Sequence, residues 1–176
     1  PALLPAWRFP ESGYYVFGDN FEKPNEIKGL VDCGSLGYLG IAAHGHADAL
    51  SVWLSIAGEP CWVDAGTHGY GGDYRWRAYF RGTTAHNTVC IDGEDQSESG
   101  GRFLWLRKAQ CRVEQMPDSP DSFSFSGFHD GYSRLKSPVR HKRHVSYDGA
   151  QSELTVQDEI SGSGRHDVAQ LWHFAP

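Results

Sequence analysis

A chain of 176 residues with 39% hydrophobic and 13% aromatic content has enough apolar material for a sizeable core, and reads as one domain. Its 16 Lys and Arg against 22 Asp and Glu leave a formal charge of −6, which argues against a broad nucleic-acid footprint. The longest apolar runs, such as ALSVWLSIAG, fall far short of the roughly 20 residues that cross a bilayer, so no membrane span is expected.

Taken in chain order, SGYYVFG, KGLVDCG, ALSVWLSI, PCWVDAG and HNTVCID are short runs rich in β-branched and aromatic residues. GGDYRWRAYFRG, lying among them, is the one helical hint, with Asp73 placed to cap a short turn from Tyr74 to Phe80. FLWLRKAQCRVEQ, DSFSFSGF, PVRHKRHVSYD, SELTVQDEI and HDVAQLWHFAP continue the strand pattern. Turn signals such as AGEP, IDGED, PDSPDS and SGSG separate these segments. The pattern predicts an all-β, antiparallel sandwich or barrel with at most one short helix. No internal repeat or second domain is visible. Because the chain opens on Pro1 and closes on a strand-like run, it reads as a piece of a longer protein.

IAAHGHADAL, residues 41–50, is the stretch richest in chemistry. If residues 42–48 are extended, His44, His46 and Asp48 fall on one face. Asp64, at the end of PCWVD, and His86, at the start of HNTVCID, stand at neighbouring strand ends. Two imidazoles and a carboxylate suit a divalent zinc ion with a fourth position left open, and a metal-free cluster of hydrogen-bonded His and Asp is the alternative. Cys33, Cys61, Cys90 and Cys111 are 28, 29 and 21 residues apart, which fits neither a zinc knuckle nor a dense disulfide scaffold. Arg75, Arg77 and Arg81 form one basic cluster; Arg134, Lys136, Arg140, Lys142 and Arg143 form a second, expected as a solvated face.

The run HGHADALSVWLSIAGEPCWVDAGTHGYGGDYRWRAYFRGTTAHNTVCIDGEDQSE, residues 44–97, resembles the signature region of the heparinase II/III-like polysaccharide lyases. HGHADAL, VDAGT, RAYFRGTTAHNT and IDGEDQ carry the likeness, in order, over these 54 residues, and the rest agrees in strand character. The resemblance implies a supersandwich-like antiparallel β-sandwich over residues 1–176, joined in the whole lyase to an N-terminal (α/α) toroid. It implies structural zinc held by His46, Asp64 and His86, and a catalytic His44 facing the active site. The implied reaction is β-elimination on a polysaccharide containing uronic acid: the carboxylate is neutralised, the C5 proton removed and the leaving oxygen protonated. Toroid residues, a tyrosine among them, carry much of that proton transfer in the family, so the sandwich alone is expected to be inactive.

Developing enolate-like charge needs preorganised donors, and Arg75, Arg77 and Arg81 are candidates to pair with substrate acids. Trp76 is the candidate for stacking on sugar, while Trp53, Trp62, Trp105 and Trp172 read mainly as core. Asn87 and Thr88 read as supporting hydrogen-bond residues, His68 as a lone exposed histidine and His173 as strand packing. His129, His141, His144 and His166 read as surface. Expected partners are an acidic polysaccharide and the toroid, in a periplasmic or secreted bacterial setting, with a cytoplasmic one left open. A non-catalytic carbohydrate-binding sandwich and a structural domain locked by metal stand as alternatives.

Overall fold

The structure is a computed structural model and describes residues 7–38 and 40–176. Strands β1 (Arg8–Phe9), β2 (Tyr14–Asp19), β3 (Ile27–Asp32), β4 (Val52–Ile56) and β5 (Glu59–Trp62) form an antiparallel meander in that order. The small strands β6 (Val89–Ile91), β7 (Glu98–Ser99) and β8 (Trp105–Arg107) follow, after the helix α1 (Tyr74–Arg81). A second sheet, ordered β12-β11-β10-β9, is made from β9 (Cys111–Gln115), β10 (Ser122–His129), β11 (Val139–Asp148) and β12 (Glu153–Gly162). Strand β13 (Val168–Gln170) pairs with β6, and β7 pairs with β8.

Period-two patterning makes the two large sheets face each other. In β2, Tyr15 and Phe17 point inward, while in β10 and β11 Phe123, Phe125, Val145 and Tyr147 do so. Their rings meet between the sheets, Tyr15 on Phe125 at 5.1 Å and Phe17 on Phe123 at 5.4 Å. Phe17 lies across its cross-strand partner Gly29, where a Cβ would come within 2.0 Å of the ring. The predicted antiparallel sandwich with one short α-helix is therefore the observed fold, and Asp73 caps that helix by accepting from the Arg75 amide.

Two segments depart from the sequence expectation. FLWLRKAQCRVEQ divides into β8 and β9, because the amides of Ala109 and Gln110 turn to Ser97 Oγ and Asp130 Oδ1 instead of a ladder. Residues 42–48 are not a strand. Ala42 and Leu50 sit at φ +49° and +61°, and the amides of Gly45 and Ser51 close turns onto Ala42 and Asp48. His44, His46 and Asp48 therefore do not share one strand face.

The expectation of surface histidines fails at His129 and His141, which are fully buried along with Arg143. The inward parity of β11 puts His141 and Arg143 beside Val139, Val145 and Tyr147, so HKRH is half core and not a solvated face. A chain of hydrogen bonds satisfies these groups. Gly131 N–H donates to His129 Nδ1 at 3.2 Å, which leaves His129 Nε2–H for His141 Nδ1 at 3.1 Å and His141 Nε2–H for Asp158 at 2.7 Å. Both rings are neutral in this arrangement, and burial holds the pKa of each below the ordinary histidine value.

The unfolded chain binds protons at these histidines below about pH 6.5 while the folded one does not, so acid destabilises the fold here. The expected loss approaches about 1.4 kcal/mol per pH unit for each ring between its unfolded and its lowered folded pKa. In the metal-free protein His86 carries a raised pKa and works in the opposite direction, stabilising the fold in acid. Urea midpoints of the wild type and His129→Gln at pH 5 and pH 7 separate the two, with the variant showing the flatter pH dependence.

Candidate metal centre and active site

The turn-rich 42–50 loop, the stretch after β5 and the residue following a 3₁₀ turn (Thr83–Ala85) bring His46, Asp64 and His86 together. One ligand atom from each lies within 4.8 Å of the others. His86 Nδ1 bonds Asp64 Oδ2 at 2.5 Å, and the His46 and His86 rings lie 5.2 Å apart. The three residues predicted as metal ligands are thus assembled.

Whether this set suits a cation is decided by its polar atoms. His86 Nε2 is buried without a hydrogen-bond partner, an orphan that a native interior does not normally tolerate. Burial pulls the His46 pKa down to about 4, keeping the ring neutral as a metal ligand requires. Burial also opposes charge on His86, but the hydrogen bond it donates to Asp64 and the nearby carboxylates outweigh it and raise its pKa. Asp64 is held below its usual range against the same penalty by that bond. Asp32 and Asp48 are pushed up to about 7 and about 6, chiefly by burial, with the neighbouring carboxylates adding to it. Three carboxylates thus crowd one buried histidine, and a divalent cation suits that negative field. Two imidazole nitrogens and a carboxylate oxygen match zinc chemistry.

Supporting residues tie the site to the fold. Thr67 Oγ1 accepts from Arg77 at 3.0 Å and lies 2.9 Å from His46 Nε2. Arg77 also donates to Ala43 O. Asn87 donates to Val52 O and Val63 O and accepts from the His173 amide, while Thr88 donates to Ala49 O, the supporting roles expected of both. Arg143 reaches from the second sheet to donate to Leu50 O and Asn87 O, each at 2.7 Å. Asp158 grips its guanidinium at 2.7 and 2.8 Å. One buried cation thereby holds the loop that carries His46 and the residue after His86.

His44 diverges from His46 and is exposed, its Nδ1 3.1 Å from the Tyr70 hydroxyl and its ring edge-on to Tyr70. Nothing local in the sequence marks Tyr70, because only the loop fold pairs residues 26 positions apart. Arg77 lies 5.0 Å from the centroid of the same Tyr70 ring. Arg77 and Arg81 are closed off from solvent, at 0% and 2% exposure, and Arg81 Nη1 donates to both Gly101 O and Arg102 O. Arg75 is exposed and paired with Asp73. Trp76 is 54% exposed beside His68, which stacks on Phe80 instead of standing alone. Trp105 is core, and Trp62 stacks on Trp172.

The family model described as "Heparinase II/III-like, C-terminal" matches residues 1–176. Among solved structures, a heparinase III, the BT4657 gene product, superposes with TM-score 0.74 at 22% identity, over 94% of this chain and 24% of its own. The heparan sulfate lyase HepC from Pedobacter heparinus gives 0.74 at 19% identity, over 94% and 23%. A further heparinase III gives 0.73 at 20% identity, over 94% and 24%. The chain spans about a quarter of the length of these structures, and at such identities the likeness speaks for the fold. A comparison with curated proteins returns no match.

Proposed function

Because the chain belongs to the heparinase II/III-like C-terminal family, we propose that it is the metal-bearing β-sandwich of a lyase that cleaves a uronic-acid-containing polysaccharide by β-elimination. The convergence of His46, Asp64 and His86 beside an exposed His44 is the observation that carries this reading. A zinc ion held by the three residues would supply fixed positive charge that locks the 42–50 loop to the 64–67 and 86–88 segments. The elimination itself needs no metal-bound nucleophile.

The chain's own part in the reaction centres on His44. Its exposed imidazole, with Nδ1 toward Tyr70, is placed to exchange a proton with a substrate bound at the surface, and Tyr70 fixes the ring's orientation. Arg75 and Trp76 are the members of the α1 set open to a substrate carboxylate and a sugar face. Arg77 and Arg81 act through the loops they hold. The remaining groups of the reaction, and closure over the polymer, come in this proposal from an N-terminal toroid of the same protein, without which the sandwich is inactive. A polymer of this kind is met outside the cytoplasm, so a periplasmic or secreted setting belongs to the same reading.

The test is His44→Ala in the full-length parent, followed by the ultraviolet absorbance of the unsaturated uronate product. Loss of a proton-transfer group is expected to cost about 10² to 10⁴ in kcat with zinc content unchanged. Full activity in that variant refutes the role of His44.

A further inference from the structure

We propose that Cys33 and Cys111 are a disulfide-forming pair that links the two sheets of the sandwich when the protein meets a small-molecule or protein disulfide. Cys33 follows β3 in the first sheet, and Cys111 opens β9 at the edge of the second. Both thiols are free in the structure, and both line the same small cleft.

The register of the second sheet explains why a thiol from the opposite sheet reaches Cys111. On β10, Gly127 faces Val113 and His129 faces Cys111, so Gly127 lies next to Cys111 on the inward face. A Cβ at Gly127 would come within 3.1 Å of Cys33 Sγ. The missing side chain at Gly127 leaves a space that the Phe125 ring and the Cys33 thiol share, which lets that thiol approach the inward face of the second sheet. Bond formation at about 2.05 Å then needs the two thiols that line this space to rotate toward each other. The other two cysteines are placed elsewhere: Cys61 lies on β5, and Cys90 Sγ is turned to Glu94 O.

Access comes from a cleft of about 250 Å³ that opens between Ser12, Gly34 and Met116 and is lined by both cysteines. One cysteine, as the thiolate, attacks the disulfide of the oxidant and expels one of its thiols, giving a mixed disulfide. The second cysteine attacks that bond and expels the other thiol. Two S–H bonds are lost and one S–S bond is formed, and the oxidant takes up two electrons and two protons as it becomes two thiols. The neighbouring Cys33 thiol and burial push the Cys111 thiol well up from its ordinary pKa, so the exchange is slow in the native protein and faster during folding.

The experiment uses oxidised glutathione as the oxidant, applied to the native chain and, in parallel, during its refolding from denaturant. The expected result is a fall from four titratable thiols to two. The intact mass falls by about 2 Da, the weight of two hydrogens, with no glutathione adduct. A non-reducing peptide map joins Cys33 to Cys111. The cross-link closes a long loop, so the midpoint of thermal unfolding rises by about 10 °C and returns on reduction. Cys33→Ser and Cys111→Ser each abolish the shift. Four surviving thiols under both conditions, a stable glutathione adduct with no internal bond, or a peptide joining Cys61 or Cys90 instead would each overturn the pairing. None of these outcomes depends on metal binding or lyase activity.

Discussion

Arg143→Met is expected to lower the unfolding free energy by about 3–5 kcal/mol, the usual cost of removing one partner of a buried ion pair. The residue is fully buried and makes four hydrogen bonds, two to Asp158 and one each to Leu50 O and Asn87 O. Methionine fills much of the volume but leaves both carbonyls unpaired and a carboxylate with only His141 and Gln170 as neighbours. Against a typical total of about 5–15 kcal/mol the loss is large, and denaturant titration reads it directly. Because Arg143 holds the segments that carry His46 and His86, zinc affinity should also fall by about 10- to 100-fold in whatever fraction remains folded. A loss of under about 1 kcal/mol would show that Asp158 and the two carbonyls find other partners.

Zinc is expected to stabilise the wild type by about 2.7 kcal/mol when free metal exceeds the dissociation constant 100-fold. For a domain of this size that raises the thermal midpoint by about 5–10 °C. In His46→Ala the effect should vanish, since a carboxylate and one imidazole remain. Equal zinc-induced shifts in both proteins would place the metal elsewhere.

Much of this molecule is legible in its sequence, for identifiable reasons. Strands such as SFSFSGFH and VRHKRHVSYD alternate with period two, so a one-residue slip would expose Phe123 and Phe125, and the sandwich follows. The helix at Tyr74 is announced by its Asp73 cap. His46, Asp64 and His86 were found by motif, although the strand geometry proposed for residues 42–48 was not the means by which they meet. Positive φ at Ala42 and Leu50, neither of them glycine, gives no composition signal of a loop.

Long-range pairing was the less visible part. HKRH reads as a charged run until the inward parity of β11 is applied, and nothing local indicates that Asp158, 15 residues on, neutralises Arg143 and receives the His129–His141 chain. The same holds for His44 and Tyr70. Arg77 and Arg81 illustrate the opposite case: a basic cluster on a short helix suggests a binding surface, yet i, i+4 spacing turns both under the helix, where they tie down loops.

On the proposed reading, His46, Asp64 and His86 hold one zinc ion. Elemental analysis of the purified chain, dialysed against buffer with trace zinc, measures it most directly. Close to one zinc per chain in the wild type, and none in His46→Ala of the same fold, is the predicted result. A well-folded wild type without metal would contradict it and reduce the cluster to a hydrogen-bonded His–Asp pair beside a second histidine.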